Sequence, residues 1–322
     1  MWPSEQLFLS HDELDRLART CREPFVAACR RMEIAADLTP WLGALYLPLA
    51  AWLDRRREGQ TRALVVGVSG AQGSGKTTFS ELLRVSLTAG LGRRVASLSI
   101  DDFYKTKADR EAMAKAVHPL FAARGVPGTH DVKLGIDTIK ALQRLPWGRA
   151  VPVPAFDKAR DDRKPQAAWP IVHGPIDVII FEGWCVGARP QSASALAEPI
   201  NDLERYEDSD GTWRRTVNRF LAEEYQRLFS LIDVLLMLKV EGMGKVFEWR
   251  RLQEEKLRKK SAAEGLAQDL RIMSDDDLNR FIMHYERLTR HMFEEMPARA
   301  DAVFFVDDRH NPARVQINKP VA

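Results

Sequence analysis

The stretch ALVVGVSGAQGSGKTT, Ala63 to Thr78, decides the fold. Its first six residues are a short valine-rich apolar run, the pattern of a strand buried on both faces. Three glycines, a lysine and two threonines follow. Then TTFSELLRVSLTAGLG carries apolar residues at helical spacing and stops at Gly90 and Gly92. Gly70-x-x-x-x-Gly75-Lys76-Thr77 matches the P-loop pattern, and the physics of that pattern is specific. Glycines let the backbone curl with its N–H groups turned inward on phosphates. The helix N-terminus adds a partial positive charge. Lys76 reaches the terminal phosphates and Thr77 offers a hydroxyl to Mg²⁺. On this reading Gly70, Ala71, Gln72, Gly73, Ser74, Gly75, Lys76, Thr77 and Thr78 bind the nucleotide. A chance glycine turn has no reason to fall between a strand and a helix.

Four more apolar runs lie downstream: RRVASLSI, IDVIIF (Ile176 to Phe181), IDVLLML (Ile232 to Leu238) and AVFFV (Ala302 to Val306). None alternates, as expected of strands covered on both sides. Between the last two, SDDDLNRFIMHYERLTRHMF reads as a helix capped by Ser274. Its apolar face is Leu278, Phe281, Ile282, Tyr285, Leu288 and Met292. Alternating strands and helices predict a doubly wound α/β domain with a mainly parallel five-stranded sheet and helices on both faces. This P-loop domain spans residues 63–322. Residues 1–62 read as a helical extension, set off by the charged break DRRREGQTR, and HDELDRLARTCREPFVAACRRMEIAADL spaces its apolar residues as one helix. Trp41, Leu42, Leu45, Leu47 and Trp52 are the residues expected to pack that extension on the core.

Composition narrows the class. A net charge of +3 is too mild for a nucleic-acid partner but suits a protein that handles anions. Three cysteines without a CxxC argue against a disulfide framework or zinc site and for a reducing, cytoplasmic setting. MWPSEQLFLS lacks a basic start followed by an apolar run, and WLGALYLPLAAWL is too short to cross a bilayer and is interrupted by Pro48. Neither a membrane nor a nucleic-acid partner is therefore expected. The tryptophans read as core and interface residues.

Rival P-loop classes are missing their marks. The one Asn-Lys pair, Asn318-Lys319, is followed by Pro320 and Val321, so the GTPase base-reading motif is absent. There is no LSGGQ-like signature, and the acidic strand VIIFEGW ends in a lone Glu182 before Gly183. A small-molecule kinase remains. A second constellation, SLSIDDFYKT, delivers Asp101 and Asp102 at a strand's carboxyl end, the edge where open parallel sheets bind ligands. A carboxylate there can accept the proton of an attacking hydroxyl.

These residues resemble the phosphoribulokinase, uridine kinase and pantothenate kinase group, and within it the D-glycerate 3-kinases and related bacterial kinases. GAQGSGKTT, SIDDFYKT, RGVPGTHD (Arg124 to Asp131), PAFDKARDDR (Pro154 to Arg163) and FEGWCVGARP (Phe181 to Pro190) carry the resemblance, with EWRRLQEE a weaker match. It implies an ATP- and Mg²⁺-dependent kinase acting on a small-molecule substrate, most closely D-glycerate. It implies Asp101 as base on the acceptor hydroxyl, Lys76 on the phosphates, and Thr77 with Glu182 as the metal-holding pair. His130 and Asp131 would hold substrate hydroxyls, with Asp102 and Tyr104 beside them. Arg124 and Lys158 would meet the carboxylate, since guanidinium suits planar bidentate recognition. The region 241–265 would be a lid, with Arg250 or Arg251 stabilising charge on the transferring group, while Lys256, Arg258, Lys259 and Lys260 read as a solvated face. One departure stands out: FDKARDDR has Phe156 and a compressed loop where the likeness expects Tyr-Asp-Lys-Ser and a longer glycine-containing one. Two other readings stay open on the residues alone, a kinase for another alcohol such as a nucleoside and a nucleotide-gated regulator.

Overall fold

The computed structural model describes residues 2–264, 273–308 and 310–321. Ser10 opens the first helix, α1 (His11–Arg31), through a reciprocal capping box with Glu13. The helix does not run on to Leu38: Glu33 takes a left-handed backbone and the chain turns into α2 (Thr39–Trp41), a wide turn (Leu42–Tyr46) and α3 (Leu47–Arg57). There follow β1 (Leu64–Gly70), α4 (Lys76–Val85), β2 (Val95–Ser99), α5 (Lys107–Ala116) and α6 (Val132–Gln143). Next come four short strands, β3 (Ala150–Pro152), β4 (Phe156–Asp157), β5 (Asp162–Arg163) and β6 (Ile171–His173), and then β7 (Val178–Gly183). The remainder is α7 (Asp202–Glu207), α8 (Thr212–Phe220), α9 (Gln226–Phe229), β8 (Val234–Lys239), α10 (Met243–Glu264), α11 (Asp275–Glu295), β9 (Ala302–Val306) and β10 (Pro312–Ile317).

The main sheet has the order β10-β9-β8-β1-β7-β2. The five strands read from apolar runs are all parallel, with Val66 opposite Ile180 on one side and Val234 on the other. The sheet is six-stranded, one more than expected, because β10 pairs antiparallel to β9 at the edge. PARVQI buries just Pro312 and Val315, so it has no apolar run to betray it. An antiparallel edge strand needs only one covered face.

Both faces of the central strands are buried, and alternate residues serve different cores. Val66, Val68, Ile180, Leu236 and Phe304 meet Phe25, Leu45, Leu47, Trp52, Phe79 and Leu82. Val65, Ile179, Phe181, Met237 and Val303 meet Phe103, Ile139, Leu228, Leu288 and Met292. The N-terminal helices thus lie in one hydrophobic cluster with a sheet face and α4. Ion pairs reinforce the join: Arg56 to Asp301 at 3.0 Å, Arg93 to Asp54 at 2.7 Å and Arg62 to Asp233 at 2.6 Å. Trp52, Trp184, Trp213 and Trp249 are buried as expected, whereas Trp147 is 77% exposed. No helix among the described residues is long and apolar enough to cross a membrane.

Candidate active site

Parallel strands with right-handed crossovers bring their carboxyl ends to one edge. β1 feeds the glycine-rich turn, β2 ends at Ser99 just before Asp101, and β7 holds Glu182 opposite Val68 and Ser99. The three sequence constellations therefore meet.

In the cradle, Gly73 and Gly75 have left-handed backbones (φ +79° and +85°) and Gly75 caps α4. That curl turns the first amides of α4 to the loop's interior. Lys76 Nζ donates to the Ala71 carbonyl at 3.0 Å. Burial pushes the Lys76 ammonium down, against the opposing pull of Glu182 and Asp101. Ser74 Oγ is buried without a hydrogen-bond partner among the described residues. A loop with inward donors, a half-buried cation and an unsatisfied hydroxyl fits a polyphosphate. Thr77 Oγ1 donates to Glu182 Oε1 at 3.3 Å, and burial raises the Glu182 carboxyl. No cluster of three or more His, Cys, Asp or Glu that could hold a metal occurs among the described residues. Mg²⁺ at phosphates needs none, since it takes one or two carboxylates, phosphate oxygens and water. Thr77 and Glu182 suit such a site.

Asp101 forms the opposite wall. It accepts from Tyr104 Oη at 3.0 Å on one oxygen and from Lys158 Nζ at 2.8 Å on the other. Burial pushes this carboxyl up, but the Lys158 ammonium and the tyrosine hydroxyl outweigh it and hold it below the usual carboxylate range. Asp102 differs: it accepts the Phe156 N–H at 3.3 Å, and burial carries its carboxyl above the usual range. Two adjacent aspartates are thereby split, one held ionised at the site and one bracing β4.

The other named residues divide between site and scaffold. His130 is buried and its ring is stacked on Tyr104 with centroids 4.4 Å apart. Asp131 caps α6 by accepting from Leu134 N, and its other oxygen takes Arg163 at 3.3 Å. Arg124 is paired with Asp161 at the tip of the β4–β5 hairpin and lies over the Phe156 ring. Arg250 is paired with Glu254 one turn along α10 and lies 5.3 Å over Phe281, while Arg251 is exposed and 3.7 Å from Glu255. The side chains of Lys256, Arg258, Lys259 and Lys260 lie outside the described residues.

Several contributors carry no sequence signal of their own. The fully buried Arg110 binds the Ala122 carbonyl at 2.8 Å and Asp161 at 2.9 Å, joining α5 to the short turn that precedes RGVPGTHD and to the hairpin. Arg163 binds the Tyr104 carbonyl at 2.8 Å. Tyr225, inside what reads as an ordinary amphipathic helix, bonds to His130. Trp249 of α10 lies against Gly73, and His310 bonds the Gly73 carbonyl at 3.1 Å.

Similar sequences and folds occur among known kinases. The model of the phosphoribulokinase / uridine kinase family matches residues 65–190. The chloroplastic D-glycerate 3-kinase of Arabidopsis thaliana is 30% identical over 83% of this chain, which spans 59% of that protein's length. An uncharacterized kinase of Schizosaccharomyces pombe, mug58, is 32% identical over 73% of this chain and 82% of its own. Among solved structures, D-glycerate 3-kinase from Cryptococcus neoformans is similar at 26% identity and a TM-score of 0.66, covering 84% of this chain and 96% of that one. The chain belongs to the phosphoribulokinase / uridine kinase family.

Proposed function

We propose that this member of the phosphoribulokinase / uridine kinase family transfers the γ-phosphoryl group of ATP to a hydroxyl of a small organic acid, with D-glycerate as substrate. The observation that carries the acid half of the reading is the Lys158–Asp101 pair at 2.8 Å. It sets a 65% exposed ammonium beside the aspartate at the sheet edge, with Arg124 of the neighbouring turn close to the same hairpin. An incoming carboxylate can take over Lys158, freeing the Asp101 oxygen for the hydroxyl that reacts. The names of the similar proteins from Arabidopsis and Cryptococcus support the choice of glycerate.

The geometry supports the following division of labour. Lys76 and the loop amides bind the phosphates and offset charge as it shifts toward the leaving oxygen. Asp101 orients the acceptor hydroxyl and takes its proton, and Tyr104 fixes the carboxylate's rotation. Thr77 and Glu182 hold Mg²⁺, which when bound neutralises phosphate charge. The reaction is mostly positioning and electrostatics, as phosphoryl transfer requires little covalent chemistry from the protein.

The test is an ADP-release assay over D-glycerate, glycerol, uridine, pantothenate and ribulose 5-phosphate, with mass spectrometry of the products. D-glycerate should be far the best acceptor. Glycerol, which lacks the carboxylate, should lose at least about tenfold in kcat/KM, as a site left with unpaired polar groups rejects its analogue. Arg124→Ala should narrow that gap. Strong activity on uridine with none on glycerate would overturn the substrate assignment and leave the family standing.

A further inference from the structure

The Tyr225 phenol stands at a junction of two hydrogen bonds. Its oxygen accepts the Gly128 backbone N–H at 3.0 Å. The hydroxyl carries one proton of its own to donate, and its oxygen is already an acceptor. That proton has a partner at 2.6 Å, His130 Nδ1. An Nδ1 that accepts carries no hydrogen. Burial keeps the imidazole neutral, pushing its pKa down to about 3, so the one ring proton sits on Nε2. Nε2 is itself buried and has no hydrogen-bond partner among the described residues. A buried donor left unpaired costs free energy, which identifies it as a group kept for a ligand or an ordered water. The ring is stacked on Tyr104, whose hydroxyl donates to Asp101, and Asp101's charge acts on the imidazole.

We infer that Tyr225 is a positioning residue of the acceptor site: by donating to Nδ1 it fixes His130 as the Nε2–H tautomer and presents one oriented donor to an oxygen of the acceptor. This rests on reading the Asp101–Tyr104–His130 wall as the acceptor site. The Gly128 N–H orients the phenol, so the relay runs from the RGVPGTHD backbone through the wide turn after α8 (Leu221–Tyr225) and back to the turn's own histidine.

Nitrogen-15 NMR of the imidazole reports the tautomer directly, with His130→Gln used to assign the signals. Wild-type His130 should show a protonated Nε2 and a bare Nδ1, with no acceptor needed. Tyr225→Phe should populate both tautomers. The best acceptor's KM should then rise about fivefold to tenfold, the worth of one hydrogen bond, with kcat within about twofold. Glutamine at 130 carries a fixed amide donor and needs no tautomer, so adding Tyr225→Phe to His130→Gln should change KM by less than about twofold, where a purely packing role would persist in full. Protonated Nδ1 in the wild type, an undiminished effect in the His130→Gln background, or mixed tautomers with unchanged KM would each overturn the inference. Should the acceptor be a different alcohol, the same comparison applies to it. Should wild type phosphorylate nothing, the proposed function fails while the tautomer of His130 still decides the relay.

Discussion

At the scale of single residues, the chemistry depends on how unlike environments separate like groups. Asp101 and Asp102 are neighbours in sequence, yet a 2.8 Å ammonium keeps one below the usual carboxylate range and burial takes the other above it. Asp101→Asn cannot accept a proton and should lower transfer by about 10² or more while ATP still binds. Lys158→Met removes the group that holds Asp101 down and leaves burial to push it up. The sign follows: the base needs a higher pH to ionise, so the acid limb of kcat/KM should move to higher pH. A pH–rate profile of both variants checks this, and an unmoved or lower acid limb in Lys158→Met would show that Lys158 does not set the base.

Among elements, the P-loop is braced by more than its own glycines. Trp249 of α10 is buried against it, so a side chain added at Gly73 would come within 3.0 Å of the Trp249 Cβ, at a backbone φ of +79°. Backbone strain of that kind costs about 1–3 kcal/mol for a residue other than glycine. Gly73→Ala should therefore weaken ATP binding by roughly tenfold or more, since about 1.4 kcal/mol is one decade. Titration with ATP, followed by tryptophan fluorescence, measures it. Parent-like affinity would show that α10 yields at no cost. The β4–β5 hairpin is held in a comparable way, by Arg110 and Arg124 on Asp161 and by Arg163 on Tyr104 and Asp131. The compressed FDKARDDR loop is thus tied to both the segment that carries Asp101 and Tyr104 and the turn that carries His130.

For the whole molecule, the N-terminal helices are the cover of one sheet face. Phe25, Leu45, Leu47, Trp52 and Leu53 are buried in the same cluster as Val66, Ile180 and Phe304. Removing residues 1–62 would expose that face and the underside of α4, the helix on which the cradle ends. We expect the truncated chain to lose cooperative thermal unfolding, to bind a hydrophobic dye and to lose turnover with it. A truncated protein that melts and turns over like the parent would show the sheet face to be self-sufficient.

Local patterns in the sequence determined much of this protein. Unalternating apolar runs mark the five parallel strands because each strand must satisfy two buried faces. Gly70 to Thr78 marks the cradle because its curl is set by residues within one turn. Ser274 marks the start of α11 because a cap acts over three residues, and Asp277 closes it as a capping box. Tertiary structure alone decided the rest. β10 is half solvated and exists by pairing with β9, so its own residues do not announce it. Asp131 reads as a substrate ligand by likeness, and only the fold shows that its two oxygens also serve a helix cap and Arg163. Tyr225 stands in no motif, and its 2.6 Å contact with His130 lies 95 residues away along the chain. Arg110 is equally silent until the fold closes around it. Strand burial, loop curl and caps are governed by neighbours in sequence, whereas a proton's place on an imidazole and an arginine's choice of partner depend on groups that meet only when distant segments pack.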